Sequence, residues 1–413
     1  MRNRAWAMGM AVAAAIALGP GTITSAQAAG YAIFTQGASP LGQGNAVTGH
    51  TDSPSTVFYN PALMNRLDGT QFEVGTTFIV SSHEFDSGTI PGESTTDHST
   101  FFPSTVYATH KINDSWSVGL GIFNPFGLGT DWNDRWEGRY IATKSELTTY
   151  DINPAVSWRV IPSLTVAAGL DVILLDATLE RQIPSVAFFL PPGADIGQKF
   201  KGDGTGVGFN VGLAYDVTDT VTVGASYRSE TRVDINGHSS TSLGVTPLDS
   251  PGKSSVKLPQ QVTAGISYRP MEPLVVEAGI RWEGWSAFKE LNVNLESGAP
   301  VPPSERNWHD TLGMNVGAKY RVNDTVALMG GYIYGENAVP DSTFDPSIPD
   351  SDTHIFCTGA EFSLQRAKLA LSYAYQHYVD RTKNNTIGAP FDPANGRYKS
   401  DAHLVAVSLG YRF

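Results

Sequence analysis

Cysteine is all but absent: Cys357 stands alone among 413 residues. A single thiol excludes an intramolecular disulfide framework and any cysteine-built zinc module. Charge is also scarce. Charged residues make up 16% of the chain, against about 25% in an average soluble domain. The balance is acidic, 28 Lys plus Arg against 40 Asp plus Glu, with no basic block. That argues against nucleic acid as a partner. Beyond Leu18 no apolar run reaches the length of a membrane-spanning helix, so transmembrane helices are not expected. Catalytic signatures are missing as well. There is no G-x-S-x-G, and the nine histidines show no H-x-x-x-H spacing. The glycines from Gly202 to Gly208 miss the G-x-G-x-x-G pattern, and no helix follows them. No enzyme activity, metal or cofactor is expected.

What is present begins with an export signal. Arg2 and Arg4 precede an apolar run from Ala5 to Leu18, then Gly19-Pro20-Gly21, then Ala26-Gln27-Ala28. This is the layout of a secretory signal peptide over residues 1–28. The run is too short to span a bilayer, which takes about 20 residues.

The rest of the chain alternates with period two. Val405, Val407, Leu409, Tyr411 and Phe413 are apolar, while Ala406, Ser408, Gly410 and Arg412 lie between them. The same pattern recurs at Trp116–Ile122, Val207–Tyr215 and Leu312–Tyr320. A soluble sandwich would alternate too. Here the second face is Gly, Ser, Asn and Thr with a few charges, and no helix-period segment is available to cover the apolar face. That favours an inside-out barrel with lipid outside and a polar lumen. Fourteen such segments run from 71–82 to 400–413. Short turns such as Asn113-Asp114 and Asn323-Asp324 alternate with long loops near 83–101, 125–145, 181–204, 235–255, 291–307, 337–352 and 381–399. Short turns on one side and long loops on the other are the habit of outer-membrane barrels. Trp116, Trp158, Tyr215, Tyr268, Tyr320 and Tyr411 sit beside the short turns, as an interfacial aromatic girdle does. The expected fold is all-β: a 14-stranded antiparallel transmembrane barrel over 71–413 in a bacterial outer membrane.

Fourteen strands enclose more space than wall side chains can fill. Residues 29–70 precede the first strand and are rich in Gly, Ser, Thr, Asn and Pro. They suit a plug inside the lumen. Inward charges of both signs, among them Glu73, Asp171, Glu277 and Glu361 with Arg159, Arg228, Arg281 and Lys319, suit a plug held by ion pairs. A one-signed lumen would suggest an ion-selective porin instead.

Several short motifs then become specific in combination. Tyr59-Asn60-Pro61-Ala62 lies in the plug. Phe126-Gly127-Leu128 leads to Trp132, Trp136 and Gly138-Arg139-Tyr140. Trp282, Trp285-Ser286 and Phe288 form a W-x-x-W-S-x-F run, followed by Trp308 and by Ile348-Pro349-Asp350. Their order and spacing resemble the FadL family of outer-membrane transporters for long-chain fatty acids and aromatic hydrocarbons. The resemblance covers the chain from Ala29 to Phe413. It implies a monomeric barrel closed by an N-terminal hatch, with Asn60, Pro61 and Ala62 as the hatch turn. It also implies a kinked third strand, beside which substrate leaves laterally into the membrane. Gly119 and Gly121 are the expected bend, although small residues there would equally make room for the plug. Tyr31 is expected to reach the substrate pocket, with Phe34 and Phe123 as further contacts. Phe188 and Phe189, in the apolar loop 186–190, are expected to capture substrate outside.

A fatty acid would need its carboxylate paired, because an unpaired buried charge is costly. Arg159, Arg228, Arg281 and Lys319 are the inward candidates, whereas an aromatic hydrocarbon needs none of them. The other expected partners are outer-membrane lipid and lipopolysaccharide, and the barrel-assembly machinery through the terminal Phe413. A general diffusion porin and, further off, a barrel-embedded hydrolase remain alternatives. The plug segment separates the first of these, since a porin does not need one.

Overall fold

A computed structural model describes residues 30–245, 248–391 and 393–413. The signal peptide expected over 1–28, and Ala29, lie outside the described residues. The rest is one closed antiparallel barrel of fourteen staves. They are β1 (Thr70–Ser87), β2 (Ser94–Phe101 continued by Ser104–Lys111), β3 (Trp116–Phe123 continued by Gly127–Asp131), β4 (Lys144–Ile161) and β5 (Leu164–Ile183). Next come β6 (Ile196–Thr218), β7 (Val221–Arg228 continued by Thr231–Thr241), β8 (Ser250–Leu258 continued by Gln261–Met271) and β9 (Leu274–Glu283). The last five are β10 (Thr311–Arg321), β11 (Val326–Gly335), β12 (Thr353–Leu364), β13 (Ala367–Tyr378) and β14 (Gly396–Arg412). Each pairs with its neighbour in sequence, and β1 closes on β14 from Gln71 opposite Arg412 to Ser87 opposite Gly396.

Alternation decides which face meets lipid. On β6, Val207, Phe209, Val211, Leu213 and Tyr215 are exposed outward, while Gly212 and Ala214 face in. Trp116 and Trp158 stack side by side at the short-turn rim, centroids 5.5 Å apart. Inward residues are buried instead: Ala402, Leu404 and Ala406 on β14 are fully covered. The apolar face is outside and the lumen is filled.

The strands reach further than alternation suggested. β5 and β6 pair from Leu164 opposite Tyr215 to Ile183 opposite Ile196. Over that length, at about 3.4 Å per residue, the ladder runs ~65 Å, well beyond the ~25 Å apolar band. Loop 83–101 therefore shrinks to a tip between Ser87 and Ser94, and loop 181–204 to the stretch between Ile183 and Ile196. Ser94–Phe101 reads STTDHSTF and carries no apolar period, because outside the membrane neither face needs one.

Candidate functional site

Residues 30–67 lie inside the barrel and are almost entirely buried. They contain helices α1 (Ala38–Gly42) and α2 (Thr56–Tyr59) and a 3-10 turn, Pro61–Arg66. Asn60 explains the Asn-Pro-Ala signature. Its Oδ1 accepts from the Ala62 N–H at 3.2 Å, and its Nδ2 donates to the carbonyls of Thr48 and Leu213 at 2.7 and 2.9 Å. Pro61 starts the turn, where no N–H is needed. One side chain thus caps the turn, ties two parts of the segment together and fastens them to β6.

The wall clamps the segment by charge. Glu277 of β9 accepts from the N–H groups of Thr48 and Gly49 at 2.5 and 3.0 Å, and His50 Nδ1 lies 2.7 Å from its other oxygen. Asp52 pairs with Lys319 of β10 and, at 3.2 Å, with Lys368 of β13. Both lysines also reach Glu361 of β12, at 2.8 and 3.2 Å. Arg66 pairs with Asp216 at 2.6 Å. The mixed lumen charges are the fastening of the plug.

Three expectations need correction here. First, β3 does not bend at Gly119 and Gly121. Its ladder is unbroken there on both sides, with Gly119 opposite Thr109 and Ala155. A Cβ on Gly119 would lie 2.4 Å from the Met64 sulfur and 2.8 Å from Val57, so this glycine makes room for the segment. Second, Lys319 and Arg228 are not free cations. Arg228 bonds Asp151 at 2.9 Å and also Asp171, and lies over the rings of Phe58 and Phe123 at 5.3 and 5.2 Å. Third, Arg281 is paired with Glu283 at 2.5 Å, and Arg159 reaches the Asn65 carbonyl at 3.4 Å. As carboxylate anchors the first three are already taken by protein acids, and Arg159 is occupied with the plug. Replacing Arg228 by Met would leave Asp151 and Asp171 buried without a counter-charge. The expected loss is about 3–5 kcal/mol, read as a lower midpoint in urea unfolding.

The aromatic candidates separate into different places. Phe123 packs on Tyr107 and Phe58, and Phe34 belongs to a second cluster with Leu41, Ile79 and Ile355. Tyr31 sits elsewhere, in an aromatic cage. Its ring lies 4.6 Å from Trp285, 5.8 Å from Phe288 and Trp308, and 6.1 Å from Phe126. Gly30 turns into it at φ +56°, and a Cβ there would lie 2.6 Å from the Trp308 ring. The Gly30 N–H donates to Asp350 Oδ2 at 3.0 Å, which also accepts from Ala338 N–H at 2.9 Å. Burial pushes the Asp350 carboxyl up to about 6, against the pull of these two donors. Tyr31 Oη, Trp285 Nε1 and Trp308 Nε1 are buried without a protein partner. Trp285, Phe288 and Phe126 stand in motifs that mark the sequence, but nothing in their spacing shows that they meet around Tyr31.

The cage adjoins a seam in the wall. The lower part of β3 pairs with both β2 and β4, up to Phe123 opposite Asp151. The chain then leaves the ladder at Asn124, Pro125 and Phe126. Its upper part, Gly127–Asp131, pairs with β4 alone, and the facing Ser94–Phe101 of β2 pairs with β1 alone. Among the described residues no ladder joins these two edges. One bond bridges them, from Asp131 N–H to Asp97 Oδ2 at 3.0 Å, beside an opening of about 130 Å³ lined by Ser99, Phe101, Gly129 and Thr130. The start of the plug lies against this break. Ile33 N–H donates to the Pro125 carbonyl and Gly127 N–H to the Tyr31 carbonyl, both at 2.9 Å, with Ala32 bridging to Phe126. Residues 31–33 therefore fill the cage and hold the broken strand at once.

Outside, the 3-10 turn Ser185–Phe188 ends in Phe189, which is 99% exposed; Val186 is exposed and Phe188 half-buried.

A closed fourteen-stave barrel with lipid-facing apolar residues and an internally bonded N-terminal plug defines an outer-membrane transport protein rather than an open pore. The family model described as "Outer membrane protein transport protein (OMPP1/FadL/TodX)" matches residues 21–413, and the chain belongs to that family. A "Long-chain fatty acid transport protein" of Salmonella typhi is 24% identical, over 86% of this chain and 88% of its own. The crystal structure of a Pseudomonas aeruginosa FadL homologue is similar in fold, with TM-score 0.84 and 19% identity, covering 93% of this chain and all of the other. That of the Pseudomonas putida toluene transporter TodX has TM-score 0.73 and 20% identity, covering 94% and 99%. The chain is a multi-pass protein of the bacterial outer membrane.

Proposed function

We propose that the protein passes hydrophobic compounds inward without an energy source, from an outer loop to the cage and out through the seam. Relatives are named for long-chain fatty acids and for toluene, and an aromatic cage suits the apolar part of either. The observation that carries the reading is the double contact of residues 31–33. The segment that fills the cage also holds the edge of the seam, so a ligand that displaces Tyr31 frees both. Phe188 and Phe189 offer apolar surface for capture, worth at most ~25 cal/mol per Å² buried. The cage rings then bury the solute, and the unpartnered Trp285, Trp308 and Tyr31 donors suit a polar end. Release lies at the foot of the seam, between Phe101 and the break at Asn124–Phe126, where Phe78, Val80 and Phe102 are still exposed on the apolar outer face. The same reading takes residues 1–28 as a cleaved signal peptide, residues 29–70 as the hatch, and Phe413 as the address for barrel assembly into a monomer.

The test is binding of labelled palmitate to the purified protein in detergent, with toluene as competitor. The expected result is saturable binding that falls about tenfold or more on replacing Trp285 and Trp308 by Ala, since each truncation removes a buried aromatic contact. Absence of both palmitate and toluene binding would sink the reading and return the choice to a porin.

A further inference from the structure

A second break lies in the wall away from the seam, between β10 and β11. Their ladder climbs from Arg321 opposite Ala327 and stops at Met314 opposite Tyr334. Above that pair each strand follows its other neighbour. Thr311 stays opposite Glu283 of β9, and Trp308, just before it, is drawn into the cage. Gly335 stays opposite Thr353 of β12, and Asn337 bonds Asp352 through its N–H at 2.9 Å and its Nδ2 at 2.6 Å. The strand tops are therefore pulled apart. Two bonds cross the gap, Leu312 N–H to Glu336 Oε2 at 2.9 Å and, above it, His309 N–H to the Ala338 carbonyl at 3.1 Å.

A slot of about 50 Å³ passes through the wall here. Met314 stands at its outer mouth, exposed among Leu312 and Ile280 on the lipid-facing side. Its inner end reaches the plug at Phe34 and Asn45, and Asn45 is half-buried where most of the plug is fully covered. Arg281 and Glu283 line it between these ends. Glu283 Oε1 accepts from Gln261 Nε2 at 2.7 Å and from one terminal nitrogen of Arg281 at 2.5 Å. Among the described residues Glu283 Oε2 and the other Arg281 nitrogens have no hydrogen-bond partner.

We infer that this slot is a lateral binding site for a single-chain amphiphile of the outer leaflet with an uncharged hydroxyl head. The chain stays in the lipid beside Met314, and the head reaches Arg281 and Glu283. The occupant comes from the bilayer because the mouth is continuous with the apolar band that lipid covers. Its head is a hydroxyl because the slot offers free donors beside a free acceptor, and a hydroxyl both accepts and donates. The head is uncharged because Arg281 faces two acids, Glu283 and Glu336, which leaves one negative charge in excess. A carboxylate or sulfate there would meet repulsion and lack a counter-charge. Phe34 and Ile333 cover the first carbons of the chain. The site lies apart from the cage and the seam, so it does not depend on the route proposed above.

The test uses hexadecan-1-ol carrying a photoreactive diazirine beside the hydroxyl, added to phosphatidylcholine vesicles that hold the purified protein. Illumination should label residues 34–45 and 311–315, read by mass spectrometry of the peptides. Unmodified hexadecan-1-ol should remove that label, and hexadecyl sulfate, the same chain with a fixed negative charge, should not. Gly313→Leu should lower the label on residues 34–45 about tenfold or more, because its side chain fills the slot. A Cβ at Gly313 would lie 3.2 Å from the Tyr334 carbonyl oxygen and 3.7 Å from that of Arg281, which a shift of a few tenths of an ångström accommodates. Gly313→Ala should lower the label by less, and the wild-type competition stands without either variant. Trp285→Ala, which opens the cage and leaves the slot, should keep the label. Absence of label on residues 34–45 in the wild type, or equal competition by hexadecyl sulfate, would overturn the site. So would label lost in Trp285→Ala and kept in Gly313→Leu, since the alcohol would then have arrived through the cage.

Discussion

Gly317→Val should turn a sealed barrel into an ion-conducting one. A Cβ at Gly317 would stand 1.9 Å from the Gln43 carbonyl oxygen, and one at Gly224 would stand 1.9 Å from the Thr48 carbonyl oxygen. No rotamer relieves a clash between a Cβ and a backbone atom, so either the wall or the plug must move. The wall is the stiffer partner. β10 is laddered along its length to β9 and β11. The plug near Gln43 is held by fewer bonds, chiefly Asn315 Nδ2 to the Gly44 carbonyl at 2.9 Å. The plug should therefore lift. Because fourteen staves leave a lumen wider than side chains fill, conductance in planar bilayers should rise about tenfold or more. Residues 30–67 should become open to protease at the same time. Adding Gly224→Val should enlarge both effects. Gly330→Val is the control, since nothing lies within 4 Å of a Cβ there. Sealed bilayers with both wedges in place would mean that the segment is not seated against the wall as described.

Period two carried most of the architecture. Membrane strands must alternate where one face meets lipid and the other a lumen, so stave number and facing were legible. The same reasoning lost sight of the strands above the membrane, where Ser94–Phe101 has no apolar face to show. The resemblance implies a kinked β3, with Gly119 and Gly121 as its bend or as room for the plug, and the unbroken ladder and the closeness of Met64 and Val57 to Gly119 favour the second. The better signal was Pro125, which cannot donate to a ladder and so marks a strand's edge or end. The lumen charges show why facing is not function. Parity placed Arg228 and Lys319 inside correctly, but their partners lie far off in sequence: Asp171 is 57 residues before Arg228, and Asp52 is 267 before Lys319. The cage draws Tyr31, Phe126, Trp285 and Trp308 from four distant segments, and only the closed barrel brings them together.

On the proposed route, residues 31–33 must leave β3 for substrate to pass. Ala32 and Phe126 form an isolated antiparallel bridge, flanked by Ile33 N–H to the Pro125 carbonyl and Gly127 N–H to the Tyr31 carbonyl. That bonding makes them a narrow pair, with Cα atoms about 4.5 Å apart, inside the range a disulfide accepts. Ala32→Cys with Phe126→Cys, in a Cys357→Ala background, would staple the plug to the broken strand. Each protein serves as its own control, since the reductant opens the staple without altering the sequence. The measurement is uptake of labelled palmitate by cells carrying this variant, oxidised and then reduced. Uptake is expected near background when oxidised and recovered on reduction, while binding of palmitate at the cell surface persists. Equal uptake in the two states would mean that substrate passes without residues 31–33 leaving β3.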